Sequence, residues 1–214
     1  TDTHDVILNM LEECRKVGHE DRALMFCSLS KVTFPGAGVA AMAASRRNID
    51  YILKNMFPMI ISFDKLNQVR HIRFLKDMDG LAAHMEKHRA LLEPKFRAVL
   101  AILDEGLSGC GSIARWTKPN GGYFLSLYTL GGCAKRTVQL CREAGVVLTD
   151  AGAAYPYGVD PQDSNIRIAP TFPPLDELET ASRLLCVCVR IATLEKLLQR
   201  QRCPGALRLG PAPR

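Results

Sequence analysis

Apolar residues first recur along the chain at helical spacing: Val6, Ile7, Met10, Leu11, Cys14 and Val17 share one helix face, and Gly18 closes that segment. The next apolar run, Ala23 to Cys27, has strand length and no helical period. It leads into Ser28-Leu29-Ser30-Lys31 and the loop Phe34-Pro35-Gly36-Ala37-Gly38, after which Val39 to Ala44 reads as a second strand. Both runs are continuously apolar rather than alternating, which predicts a sheet covered on both faces. From Arg46 to about Gly106 the pattern is helical almost throughout. Ser62 and Asp64 are placed to cap one helix and Asp79 another, while Pro94, inside the segment Leu81–Leu107, predicts a kink or a break.

Ile113 to Thr117, the turn Lys118-Pro119-Asn120-Gly121-Gly122 and Tyr123 to Tyr128 then read as a hairpin with a long loop. A helix over Ala134–Ala144, strands over Val146–Thr149 and Asn165–Ala169, and a long helix from about Leu175 to Leu198 follow. The class is α/β. Residues 1–62 read as part of an α/β layer structure too short to stand as a domain. Residues 63–198 read as a smaller α+β domain, and residues 199–214 as a disordered tail.

Composition narrows the functional classes. No apolar run reaches membrane-spanning length, and no secretory signal opens the chain, so neither a membrane role nor export is expected. The net charge is +6, but four arginines sit in residues 199–214, and the remainder is too weakly basic for a nucleic-acid surface. Eight cysteines contain no CxxC pair. Cys186 and Cys188 point to different sides of a helix and cannot share a metal. Buried reduced thiols in a cytoplasmic protein are the expectation.

Three segments carry candidate chemistry. A lysine directly after a strand, flanked by Ser28, Ser30 and a glycine-rich loop, has the makings of a Schiff-base nucleophile beside a phosphate cradle. The same pattern also fits a strand-end lysine reaching solvent. Arg167, between Ile166 and Ile168 in a strand, faces away from both, and its planar fork suits a carboxylate. An ion pair with a structural acid is the plain alternative. Gly121 and Gly122 allow close approach of the backbone to a ligand, or simply make a turn. His84 and His88, at i and i+4, have zinc-ligand spacing, but the Glu required directly after the first His is absent; a solvated helix face with Glu86, Lys87 and Arg89 is expected, and no metal.

Taken in order, Ser28-Leu29-Ser30-Lys31, Pro119-Asn120-Gly121-Gly122-Tyr123-Phe124 and Arg167-Ile168-Ala169-Pro170 resemble the fold-type I aminotransferases of class I/II, which depend on pyridoxal 5'-phosphate (PLP). The resemblance runs from about Asp5 to Leu198. It is nearest to the bacterial aspartate aminotransferase subgroup with the SKVTFPGAGVA motif, which also has runs like Asn67 to Asp77 and Ala154 to Gly158. It implies Lys31 as the lysine that binds the cofactor and then moves the proton from Cα to C4′. It implies Ser28 and, secondarily, Ser30 as phosphate ligands, Arg167 as the clamp on the substrate α-carboxylate, and Asn120, Gly121, Gly122 and Tyr123 as the substrate-side lining. The implied reaction moves an amino group between an amino acid, aspartate by resemblance, and a 2-oxo acid such as 2-oxoglutarate, in a homodimer when full length.

Two rivals use the same fold: another PLP reaction such as a β-lyase, and the non-catalytic effector-binding domain of a transcription regulator. The chain also departs from the pattern. Val39 stands where many members have a phosphate-binding arginine, and no acid for the pyridine nitrogen lies on an apolar strand before Lys31. The resemblance is thus to a C-terminal half, and a fragment inactive by itself is expected.

Overall fold

The computed structural model describes residues 7–202; Val6 and residues 203–214, most of the expected tail, lie outside them. The chain forms two compact units, one up to Leu91 and one from Leu92 onward. This division falls inside a helix, whereas the sequence pattern divides at 62/63.

The first unit opens with α1, Met10–Lys16, capped by Asn9, whose side chain accepts the Glu12 N–H. Two strands follow, β1 (Leu24–Ser28) and β2 (Ala40–Ala44). They pair antiparallel, with Leu24 opposite Ala44 and Ser28 opposite Ala40. The expectation of a sheet covered on both faces does not hold within this chain. All of β1 is exposed, Phe26 at 72%. A two-stranded ribbon has no neighbouring strand or second layer to bury its apolar residues. Helix α2 (Arg46–Met56) is capped by Ser45 and α3 (Lys65–Leu75) by Asp64, as its position predicts. Ser62 does not cap; its hydroxyl donates to the Phe63 carbonyl.

Helix α4 runs from Met78 to Leu107 without a break at Pro94. Pro94 and Ala90 are both exposed, so the carbonyl deprived of its donor faces water. Asp77 rather than Asp79 serves the helix start, accepting the Gly80 N–H at 2.8 Å.

In the second unit β3 (Ala114–Trp116), β4 (Leu125–Thr129) and β5 (Asn165–Ile168) form an antiparallel sheet in that order. The C-terminal part of α4 packs on it with α5 (Ala134–Glu143) and α6 (Leu175–Arg202). The core alternates inward from the strands, through Leu125, Leu127, Ile166 and Ile168, and meets Val99, Leu103, Val138, Leu185 and Val189 of the helices. Arg136 of α5 and Glu195 of α6 join as a two-point ion pair at 2.8 and 2.9 Å. Helix α6 passes the predicted end at Leu198 by four residues that the pattern assigns to the tail. Val146 to Thr149 is not a strand: the Val146 N–H is donated to the Cys141 carbonyl at the end of α5, and β5 pairs only with β4.

Candidate active site

Lys31 stands in the turn that leaves β1. The Leu29 N–H donates to the Val39 carbonyl at 2.8 Å, one rung beyond the ribbon, and Val32 and Thr33 fold back with their N–H groups on the Leu29 carbonyl. Ser28 Oγ lies 2.8 Å from Ser30 Oγ, and the Ser30 N–H donates to Ser28 Oγ at 3.2 Å. The two hydroxyls and the backbone of Lys31 therefore share one exposed turn. Gly38 keeps this turn closed: a Cβ there would meet the Ser30 Cα at 2.9 Å.

The far side of the loop rests on a wall of side chains from α3 and α4 that the sequence pattern did not place against this loop. Asn67 Nδ2 donates to the Ala37 carbonyl at 2.7 Å. His71, 5% exposed, places Nε2 at 2.7 Å from Thr33 Oγ1 and Nδ1 at 2.8 Å from the Asn67 carbonyl. Phe34 packs on His71 and Phe74, and Phe74 on His84. His84 and His88 are not on a solvated face. Both are half-buried, with Nε2 atoms 2.6 and 3.0 Å from the Val32 carbonyl, next to Lys31. Their spacing put them on one helix face; nothing local indicated that the face meets the loop.

Arg167 belongs to the second unit. It stands opposite Ser126 on β5, on the face turned away from the buried Ile166 and Ile168. Its guanidinium carbon lies 4.8 Å from the centre of the Phe124 ring. Its Nε is buried and has no hydrogen-bond partner among the described residues, so the structural ion pair weighed from sequence is not made through that atom. Arg167 also lines a cavity of about 530 Å³ with Val146, Leu148, Ala169 and Ser182.

Two supports fix this strand. Asp160, buried, accepts the N–H groups of Gln162, Ser164 and Asn165 at 2.7 to 2.9 Å. Burial opposes its charge, but these donors outweigh it and hold the carboxyl below its ordinary range. Lys95 donates to the carbonyls of Thr171 and Pro173, anchoring the loop after β5.

Asn120, Gly121 and Gly122 are exposed in the β3–β4 turn and Tyr123 is half-buried, while Phe124, the next residue, lies against Arg167. Gly122 has φ +91°, a left-handed conformation suited to glycine. The candidate residues thus form two groups, Ser28, Ser30 and Lys31 on one compact unit and Arg167 with the 120–124 turn on the other.

Among the described residues no three His, Cys, Asp or Glu side chains gather as a metal cluster. The seven described cysteines are free thiols; Cys133, Cys141, Cys186 and Cys188 are buried as expected, but Cys27 is exposed.

Residues 1–201 match the family model described as aspartate amino-transferase. The chain is 49% identical over 181 residues to a protein of Mycolicibacterium smegmatis assigned to the aminotransferases, covering 85% of this chain and 42% of that one. It is 40% identical over 195 residues to an aspartate aminotransferase of Corynebacterium glutamicum, covering 91% of this chain and 45% of the other. The crystal structure of a C. glutamicum aspartate transaminase superposes with TM-score 0.86 at 40% identity, over 92% of this chain and 46% of that one. LysN, an α-aminoadipate aminotransferase of Thermus thermophilus solved with N-(5'-phosphopyridoxyl)-L-leucine, shares the fold with TM-score 0.73 at 20% identity, over 90% and 48%. The chain spans less than half the length of the curated relatives it matches. With the lysine turn, the three-stranded sheet and the arginine strand each in place, the chain belongs to the aspartate aminotransferase family.

Proposed function

We propose that this chain supplies the cofactor lysine and the carboxylate clamp of a PLP-dependent transaminase. The observation that carries the reading is Arg167, a half-buried guanidinium beside an aromatic ring whose Nε has no acceptor among the described residues. A buried donor left without a partner is costly, and a substrate carboxylate supplies the missing acceptor.

The residues around Lys31 fit PLP. An amine and two adjacent hydroxyls in one turn offer a nucleophile for an aldehyde and donors for a phosphate. With Val39 at the position of the usual arginine, Ser28 and Ser30 take a larger share of phosphate binding. PLP supplies the electron sink that makes the substrate Cα–H acidic. With PLP bound, Lys31 would be the base that takes up and returns the substrate Cα proton, while Arg167 would fix the α-carboxylate and with it the direction of the Cα–H bond. Asn120, Gly121, Gly122 and Tyr123 line the substrate side.

The proposed substrates are aspartate and 2-oxoglutarate; support for aspartate is the 40% identical C. glutamicum relative. The proposed form is a cytoplasmic homodimer. The test is to supply the native enzyme with aspartate, 2-oxoglutarate and PLP and identify the products. Glutamate and oxaloacetate in equal amounts support the reading. With an amino acid that carries a leaving group at Cβ, such as cysteine, release of ammonia, pyruvate and the leaving group in place of a new amino acid would replace it with a lyase, and PLP binding without turnover would replace it with an effector domain.

A further inference from the structure

Lys31 leaves β1 in an exposed turn, yet the residues after it are held on a buried side chain that no step proposed above uses. His71 of α3 is 5% exposed, with Nδ1 2.8 Å from the Asn67 carbonyl and Nε2 2.7 Å from Thr33 Oγ1. A carbonyl can only accept, so Nδ1 carries a proton, and Nε2 of the neutral ring keeps its lone pair. The Thr33 hydroxyl has one proton and two acceptors in reach, His71 Nε2 and the Leu29 carbonyl at 3.1 Å. That carbonyl already takes the Val32 and Thr33 N–H groups at 2.9 Å each, which fills both of its lone pairs. The hydroxyl proton therefore goes to His71.

The same turn of α3 reaches the loop at two more points. Asn67 Nδ2 donates to the Ala37 carbonyl at 2.7 Å, and Phe34 packs edge-on against the His71 ring at 5.3 Å. A one-way chain of hydrogen bonds results, from Thr33 through His71 to the Asn67 carbonyl, and it begins two residues from Lys31. On the α4 side His84 and His88 are donors, because both Nε2 atoms meet a carbonyl, that of Val32. The two residues that follow Lys31 are thus fixed on two helices, Val32 through its carbonyl and Thr33 through its hydroxyl.

We propose that His71 is a positioning residue for the Lys31 amine: by accepting from Thr33 it fixes the backbone from which the lysine side chain departs. The role rests on the reading of Lys31 as the cofactor lysine. A lysine side chain has four rotatable bonds, so an anchored backbone narrows the orientations searched before its amine meets an aldehyde. His71 acts through Thr33, and what it supplies is a lone pair in a fixed place. Any side chain that puts an acceptor there restores the role.

The test adds PLP to the native enzyme and to four variants, quenches with borohydride at successive times, and follows the pyridoxyl label on the Lys31 peptide. The variants are Thr33→Val, which keeps the shape without the hydroxyl, His71→Ala, the two combined, and His71→Gln, whose side-chain carbonyl can again accept. Thr33→Val and His71→Ala should each slow labelling about tenfold. The combined variant should be no slower than either, and His71→Gln should recover most of the rate. As a check independent of variant folding, nitrogen-15 spectra of the unsubstituted enzyme should show His71 with Nδ1 protonated and Nε2 bare, the opposite tautomer to His84 and His88. Unchanged labelling of Lys31 in Thr33→Val, additive losses in the combined variant, or a proton on His71 Nε2 would overturn this role alone. Label on another lysine would overturn the reading of Lys31 and this role with it.

Discussion

Arg167 and Cys141 show how one side chain's surroundings set its chemistry. A lysine in place of Arg167 keeps the charge but not the planar fork, and cannot satisfy a carboxylate at two points. Arg167→Lys should lower kcat/KM on the order of a hundredfold, or ~2–3 kcal/mol, for every amino-acid substrate, because all share the α-carboxylate. Kinetics on one acidic and one neutral amino acid check this; a loss confined to the acidic one would move Arg167 to the side-chain end of the pocket.

Burial, with Cys188 alongside, pushes the Cys141 thiol up to about 12, and burial pushes Cys186 up to about 11. The folded chain therefore keeps protons that the unfolded chain releases above the ordinary thiol value of 9.0. This contribution is complete below that value and is lost as pH rises toward 12. Urea midpoints should fall over that range, and less steeply in Cys141→Ala; parallel falls would show that the thiol does not set the slope.

At the level of elements, the loop before β5 depends on Asp160, which gathers three backbone N–H groups that would otherwise be buried without acceptors. Asp160→Asn keeps the shape but turns an NH2 toward donors. It should cost about 1.5–3 kcal/mol, typical of hydrogen bonds to a charged group. Amide exchange at Ser164 and Asn165 should quicken, and unchanged protection there would remove Asp160 as the organiser of the loop.

The β3–β4 hairpin and β5 were legible because alternating Leu125, Leu127, Ile166 and Ile168 face one core, and the helices because their caps and apolar spacing are local signals. Val146 to Thr149 was not, since a continuous apolar run does not reveal whether a ladder partner exists. The loop-facing role of His71, His84 and His88 was hidden for the same reason: it arises from contacts 38 to 56 residues apart.

For the molecule as a whole, the exposed apolar ribbon matters most. Leu24, Met25 and Phe26 are 46%, 37% and 72% exposed, and an apolar edge left open invites pairing with other chains. The 214-residue chain alone should associate in light scattering, and charged replacements at Leu24 and Phe26 should suppress it. Limited proteolysis should leave a protected core carrying the second unit, because the sheet and α6 hold its buried residues. A monodisperse chain cut first within α6 would contradict this account of where the stability lies.

Lys31 is the residue on which the central claim turns. The most direct measurement is borohydride reduction of the native enzyme with PLP, followed by peptide mapping. The account predicts one reduced pyridoxyl group per chain on the peptide containing Lys31, absent from Lys31→Ala. The label on any other lysine, or an equal label in the Lys31→Ala protein, would contradict it.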